Sequence, residues 1–174
     1  MYVLRQTDPP GGRGLRRLVT GVAHRARDGR LLLERPGPFN PPVALPSVGL
    51  LVVTQAVREA VDAAGLHGFV WEPVEKHHVP ALDWHPSPDR AQRLAAPVPD
   101  PDAFLVEAEH DEAVAEALGD LWAADPPSLP ITGPFNLDMF RIGQRAWIFV
   151  SDRARTVLED QAEGWLEFKP AIMR

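Results

Sequence analysis

The segment GPFNPPVALPSVGLLVVTQAVREAVDAAGLHGFVWEPV (37–74) recurs in altered form as GPFNLDMFRIGQRAWIFVSDRARTVLEDQAEGWLEFKPA (133–171). Both begin with GPFN, run through an apolar stretch that ends in Val-Thr or Val-Ser, and then become amphipathic. The offset between the copies is 96 residues at the GPFN motifs and 97 at Thr54 and Ser151, so one small insertion aligns them. Two copies are too few for a solenoid, so we expect a duplicated unit within one domain.

Each copy has the pattern of a strand, a helix and a second strand. In the first copy, the apolar run from Leu50 to Val53 is typical of a buried strand, and Thr54 is placed to cap a helix. Gly65 is a natural end for that helix, and the aromatic run from Phe69 to Trp71 favours an extended backbone. The helix's predicted buried stripe is Val57, Ala60, Val61 and Ala64.

The second copy repeats this order. The run from Trp147 to Val150 predicts a strand, Ser151 a helix cap, Gly164 a break, and the stretch from Trp165 to Phe168 a final strand. The predicted buried stripe of this helix is Ala154, Val157 and Leu158. A helix of about ten residues between two strands meets the minimum length for a parallel crossover.

The predicted fold class is therefore α+β, with a mixed sheet built from two similar strand–helix–strand units and an acidic helix inserted between them. We expect one domain over residues 1–174. N-terminal strands occupy residues 1–36, copy 1 residues 37–74, a proline-rich connection and the acidic helix residues 75–132, and copy 2 residues 133–171. The N-terminal strands are predicted at Met1–Arg5, Leu15–Val22 and Arg30–Glu34, the last two joined through an Asp28-Gly29 turn.

The stretch DAFLVEAEHDEAVAEALGDLWAAD (102–125) predicts one long helix capped by Asp100 or Asp102. Trp122 falls near its end. The predicted buried stripe is Leu105, Val114, Ala117, Leu118 and Leu121, and the carboxylates expected on or beside the exposed face are Glu107, Glu109, Asp111, Glu112, Glu116 and Asp120.

Charge is distributed unevenly along the chain. Residues 1–40 hold eight arginines and three carboxylates, whereas residues 99–125 hold nine carboxylates and neither lysine nor arginine. The basic part has no interleaved aromatic residues and the whole chain has a net charge of −6, so nucleic-acid binding is not expected. The acidic block can be a solvated face, or it can contact a basic partner.

Residues with catalytic or metal-binding chemistry do not form a recognisable motif. His77, His78 and His85 lie near Asp83 and Asp89, but adjacent histidines on a strand point to opposite faces and no HExxH pairing occurs. There is no cysteine, no GxSxG elbow and no phosphate-binding glycine pattern. We therefore predict no enzyme activity, no cofactor and no metal. A ligand or catalytic site near Asp83 and His85 stays as the alternative.

The N-terminus lacks the apolar run of a signal peptide, and no apolar stretch approaches the length needed to span a bilayer. The expected location is the cytoplasm, without a membrane partner.

The second copy resembles the closing segment of bacterial immunity proteins from polymorphic-toxin systems, in particular the double-CXXCG immunity-protein family. In that family a "dLFRlG … iVs" stretch precedes a helix, a glycine and a last short strand. The matching residues here are Leu137, Asp138, Phe140, Arg141, Ile142 and Gly143, then Val150, Ser151 and Gly164. The run LLVVTQAVREAVDAAGLHGFVWEPV (50–74) is similar to the family's first strand–helix–strand segment. Because this chain has no cysteine, the family's zinc ribbon is not carried over, and a zinc-free relative is expected.

The resemblance implies that the protein neutralises a cognate toxin by tight, non-catalytic binding. The six carboxylates between residues 107 and 120 are the candidate contacts for a basic toxin, with Trp84 as an aromatic anchor. A scaffold protein with a partner other than a toxin is a further alternative, and the oligomeric state stays open.

Overall fold

The computed structural model describes residues 1–7, 20–35, 41–47, 49–82, 101–130, 136–143 and 147–171. The strands in these ranges are β1 (Tyr2–Gln6), β2 (Val22–Arg25), β3 (Leu31–Glu34), β4 (Val43–Ser47), β5 (Leu50–Thr54), β6 (Val70–His78), β7 (Leu121–Asp125), β8 (Ser128–Leu129), β9 (Met139–Ile142), β10 (Phe149–Val150) and β11 (Leu166–Pro170). The helices are α1 (Gln55–Ala63), α2 (Pro101–Glu107), α3 (Glu112–Ala117) and α4 (Asp152–Gln161).

The α+β class and the mixed strand directions are confirmed. The strands divide between two sheets, however, whereas the sequence suggested that both units would share one. One sheet has the order β11-β1-β10-β9-β8 and the other the order β2-β3-β6-β7-β5-β4. Each is antiparallel except for one parallel pair, β8 with β9 in the first and β3 with β6 in the second.

The segments 43–78 and 139–170 have the same topology. In each, an antiparallel strand pair leads into a helix, and the chain then returns to the same sheet as a strand parallel to the one before the helix. Val43 is opposite Val53 in the first segment, as Met139 is opposite Val150 in the second. The matched backbone bonds also agree, since Thr54 N–H donates to Pro42 O and Ser151 N–H donates to Asp138 O.

In each segment the two parallel strands are not adjacent, and a strand from another part of the chain lies between them. Strand β7 pairs antiparallel with both β5 and β6, and β1 does the same between β10 and β11.

The prediction of one helix over residues 102–125 is wrong at its C-terminal end, because Leu121–Asp125 forms β7. The long helix is also interrupted between Glu107 and Glu112, which leaves the two short helices α2 and α3. Gly119, with φ +64°, ends α3 and lets the chain turn into β7.

The two capping predictions have different outcomes. Ser151 caps α4 as expected, because its Oγ accepts from Ala154 N–H at 3.1 Å. Thr54 occupies the N-cap position of α1 with an extended backbone, but its side chain makes no capping hydrogen bond. The predicted stripes are confirmed at their centres, since Val57 and Val61 of α1 and Ala154 and Leu158 of α4 are buried.

The main core lies where α1 and α4 pack against each other and against one face of both sheets. It includes Val57 and Val61 of α1, Leu158 of α4, Leu51 of β5 and Val150 of β10. A second core lies on the other face of the six-stranded sheet, where Leu33, Val52 and Ala123 are buried together. Strands β2 and β4, at opposite ends of that strand order, approach each other, so the sheet curls around this second core.

Two of the three N-terminal strand predictions are confirmed, and the third is wrong in its described part. Strand β1 matches the predicted Met1–Arg5 strand within one residue, and β2 and β3 form a hairpin in which Gly29 has φ +92°. Of the predicted Leu15–Val22 strand, residues 15–19 lie outside the described ranges. Thr20 has helical backbone and Gly21 has φ +72°, so the strand begins only at Val22.

Asp138 joins the two units through its buried carboxylate. Its Oδ1 accepts from Ser151 Oγ at 2.7 Å, and its Oδ2 accepts from the backbone N–H of His67 at 3.0 Å. The His67 ring is also within 2.9 Å of Oδ2, and Asp138 N–H donates to His67 O. The loop after α1 is thus held to the start of β9 and to the N-terminus of α4.

Replacing this carboxylate with an amide is expected to destabilise the fold. In Asp138→Asn an N–H donor replaces one oxygen, so either Ser151 or His67 loses its acceptor. We expect a loss of about 1–3 kcal/mol in the free energy of unfolding, measured by urea titration. The control is Asp120→Asn, an exposed carboxylate, which should change stability by less than about 0.5 kcal/mol. Equal stability of the two variants would show that the Asp138 network contributes little.

Gly68 lies at a close approach between the same two units. A Cβ at this position would be 2.6 Å from Leu137 Cβ and 2.8 Å from Met139 O, and the backbone has φ +100°. Gly119 also has a positive φ, but a Cβ there would meet no atom within 4 Å. Both positions have a backbone that disfavours a Cβ, and Gly68 adds a steric overlap that Gly119 lacks.

We expect Gly119→Ala to cost about 1–2 kcal/mol, the penalty of a left-handed backbone for a residue with a Cβ. Gly68→Ala should cost clearly more, because the strand that follows Leu137 must also shift. The two unfolding midpoints in urea, measured under the same conditions, check this order. A Gly68→Ala variant as stable as Gly119→Ala would mean that the two segments separate at no cost.

Candidate partner-binding surface

Five of the six predicted contact carboxylates are exposed. We call the exposed set Glu107, Glu109, Glu112, Glu116 and Asp120 the acidic surface. Glu112 and Glu116 lie one turn apart on α3, so their side chains share a face, and Ala115 and Leu118 are buried on the opposite side. The predicted exposure of these five side chains is confirmed. Their contact with a partner stays a prediction.

The sixth carboxylate, Asp111, has a structural role. It is half-buried at the N-cap of α3, where its Oδ1 accepts from Val114 N–H at 3.0 Å. This contact holds the start of α3. The sequence could have indicated it, because Asp111 directly precedes the first residue of a short helical pattern.

Helix α3 is anchored to the end of β6. Val79, which is fully buried, packs against Ala115 and Leu118. At the other end of the helix, Lys76 Nζ donates to Gly119 O at 3.0 Å. Because α3 leads directly into the central strand β7, the carboxylates of α3 are presented from a fixed support.

His110 completes this anchor, although no pattern in the sequence indicated this role. Its Nδ1 accepts from Val79 N–H at 3.0 Å, and Val79 O accepts from Asp111 N–H at 3.0 Å. An Nδ1 that accepts carries no proton, so the proton of the neutral ring is on Nε2, which donates to Glu112 Oε2 at 3.1 Å. Both backbone groups of Val79 are thereby satisfied just beyond the end of β6.

The acidic surface has little internal charge compensation. Glu107, Glu109, Glu116 and Asp120 make no ion pair within the described residues, and Glu112 contacts only His110. No basic residue lies in the last turn of α2 or α3. Glu107 and Glu116 therefore stand at the negative ends of their helix dipoles, where a carboxylate is unfavourable. This arrangement does not increase the stability of the folded chain.

One exposed apolar side chain is a sequence neighbour of these carboxylates. Val106 is 84% exposed and adjoins Glu107 in the sequence. An aliphatic group next to unpaired charges offers a partner both an apolar contact and a direction of approach. Trp84, the predicted aromatic anchor, lies outside the described residues, as do Asp83, His85 and Asp89.

The described histidines do not converge. His77 packs its ring edge against His24, with ring centroids 6.5 Å apart, whereas His78 lies 6.3 Å from His110. The two neighbouring side chains thus contact different partners, as the strand geometry predicted. Among the described residues, no group of three histidines or carboxylates is arranged to hold a metal ion.

Four arginines away from the acidic surface have shifted pKa values, and Arg35 and Arg25 show the two opposite causes. Burial lowers the pKa of Arg35, whose side chain is almost fully enclosed, to about 10, so it remains cationic at neutral pH. A bidentate hydrogen bond to the Glu72 carboxylate, with both N···O distances at 2.7 Å, raises the pKa of Arg25. Asp125 contacts both Arg25 and Arg141, and so connects the two sheets. The acidic surface differs, because four of its five carboxylates make no such pair within the described ranges.

None of the helices in the described ranges has the length and apolar character needed to cross a lipid bilayer.

Comparison with known proteins returned no match, either to a family model, to a curated protein or to a solved structure. The resemblance to immunity proteins therefore rests on the motifs quoted above.

Removing the His110 ring is expected to loosen the acidic surface from β6. His110→Ala leaves the buried Val79 N–H without an acceptor, and we expect a loss of about 1–3 kcal/mol in the free energy of unfolding. His110→Asn is the matched variant, because its Oδ1 can take the place of Nδ1, and it should retain most of the stability. Hydrogen exchange at the Val79 amide should accelerate in the alanine variant only. Equal exchange rates in both variants would contradict the anchoring role.

Proposed function

We propose that this protein is an immunity-type inhibitor that binds and neutralises a cognate toxin by non-catalytic association in the cytoplasm of the producing cell. The observation that carries the proposal is the acidic surface, whose five carboxylates are all exposed and four of which have no cationic partner within the described residues. The motif resemblance of residues 137–151 supports the choice of an immunity protein over another kind of binding protein.

The charge distribution favours a basic partner. Exposed carboxylates without internal pairs lose no salt bridge when they meet lysine or arginine side chains. Such complementarity mainly accelerates association, and the effect weakens as salt screens the charges. Val106 provides the apolar contact that an otherwise charged interface needs for slow dissociation.

The scaffold suits an inhibitor that must hold one shape. The carboxylates of α3 are connected to β7, which lies between β5 and β6, and His110 fixes the segment that precedes α3. A surface that is already ordered loses little conformational entropy on binding, and this favours tight association.

Charge reversal tests the proposal with the toxin encoded next to this gene. The double variant Glu109→Lys/Glu116→Lys should bind the toxin domain at least about tenfold more weakly at low salt, mainly through slower association. The difference should shrink at high salt. The matched control, Glu59→Lys/Glu167→Lys, changes the net charge equally on exposed positions elsewhere and should bind as the wild type does.

Surface plasmon resonance at two salt concentrations gives the rate constants, and survival of cells that co-express the toxin gives the biological readout. If the wild type neither binds nor protects, the immunity function is rejected. If both double variants bind and protect fully, the function stands and the acidic surface is excluded as the contact.

A further inference from the structure

The outer edge of β11 is open in the described part of the chain. Strand β11 is the last strand of its sheet and pairs only with β1. An edge strand presents a row of unpaired backbone groups, which another extended chain can use for pairing.

The hydrogen-bond pattern shows which groups point outward. Thr7 N–H donates to Trp165 O at 3.1 Å, and Ala171 N–H donates to Met1 O at 3.2 Å. Hydrogen-bonded and non-hydrogen-bonded pairs alternate in an antiparallel ladder. The backbone N–H and C=O groups of Glu167 and Lys169 therefore also point toward β1. The backbone groups of Leu166 and Phe168 therefore point to the open edge. Pro170 has no N–H, so the edge offers two donors and then ends.

An acidic groove runs beside this edge. It has a volume of about 590 Å³ and is lined by Glu159, Asp160 and Glu163 at the C-terminal end of α4, together with Thr156, Gly164 and Leu166. Glu159 pairs with Arg155 at 3.0 Å, but Asp160 and Glu163 have no cationic partner among the residues that the structure describes. The last turn of α4 contains no basic residue, so the negative end of its dipole adds to the charge.

The groove lies on the face of the sheet that α4 covers, next to the open edge of β11. The side chains of Leu166 and Phe168 pack into the core that contains Leu158 of α4 and Ala162, the residue that follows the helix. In a strand added to the edge, every second side chain would project toward the same side, and thus over α4. Cationic side chains at those alternate positions would reach the carboxylates of the groove.

We propose that the α4–β11 groove binds an extended basic segment of a partner protein, which adds as a strand to the edge of β11. The segment has lysine or arginine at every second position over about five residues, since Pro170 limits the paired length. This proposal does not rest on the immunity function, because it concerns a separate surface and a different binding mode.

The first test uses a labelled synthetic peptide, Arg-Val-Arg-Val-Arg, and fluorescence anisotropy with the full chain. We expect saturable binding, at least tenfold weaker binding to Asp160→Lys/Glu163→Lys, and unchanged binding to Glu109→Lys/Glu116→Lys. Absence of binding, or equal loss in both variants, overturns the proposal.

The second test separates strand addition from simple charge attraction. One peptide is N-methylated at both valines and another at the three arginines. Alternate N–H groups of a strand point to opposite edges, so one methylated peptide should bind as the parent does and the other should fail. Equal binding of the two overturns strand addition. Sedimentation of the protein alone is the final check, because a dimer that the peptide dissociates would assign the edge to a second copy of this chain and overturn the proposal.

Discussion

The fold depends on one feature of each strand–helix–strand segment: its two parallel strands lie in the same sheet with room for one other strand between them. Strands β5 and β6 run parallel with α1 between them in sequence but are not adjacent in the sheet, and the strand that lies between them pairs with the facing backbone groups of both. Strand β7 fills that place in one sheet and β1 fills the equivalent place in the other. The need for an inserted strand therefore ties the N-terminus and the acidic segment into the scaffold.

This constraint explains why the acidic surface is so firmly held. The carboxylates of α3 precede a strand that is central and buried, and Val79, His110 and Lys76 fix the helix from the other side. Four of the five carboxylates have no cationic partner in the described part of the chain, and two of them stand at unfavourable helix ends. A fixed support therefore carries charge that does not stabilise the folded chain, apart from Glu112, which lies beside His110 in the first turn of α3.

Much of the local structure could be predicted from single residues. Ser151 and Gly164 marked the limits of α4, and the apolar runs before the helices became β5 and β10. The candidate carboxylates also proved exposed, apart from Asp111. The prediction failed at Leu121–Asp125, because a helical pattern with alanine and leucine gives no sign that its last residues pair with two distant strands. Gly119 was the available signal, since a glycine inside a helical pattern often marks an end. His110 could not have been found, because its role depends on Val79, 31 residues away.

The sequence by itself determined the elements whose causes are local: apolar runs of strand length, helices bounded by a cap and a glycine, and the block of carboxylates. Only the tertiary structure decided that the two segments lie in different sheets, that β7 and β1 complete them, and that Asp138 joins the loop after α1 to α4. These features depend on contacts between residues far apart in the chain, such as the 71 positions that separate His67 from Asp138. Periodicity and spacing indicate which secondary structure each segment can form. Hydrogen bonding and packing across the whole chain decide which strand or helix that segment pairs with.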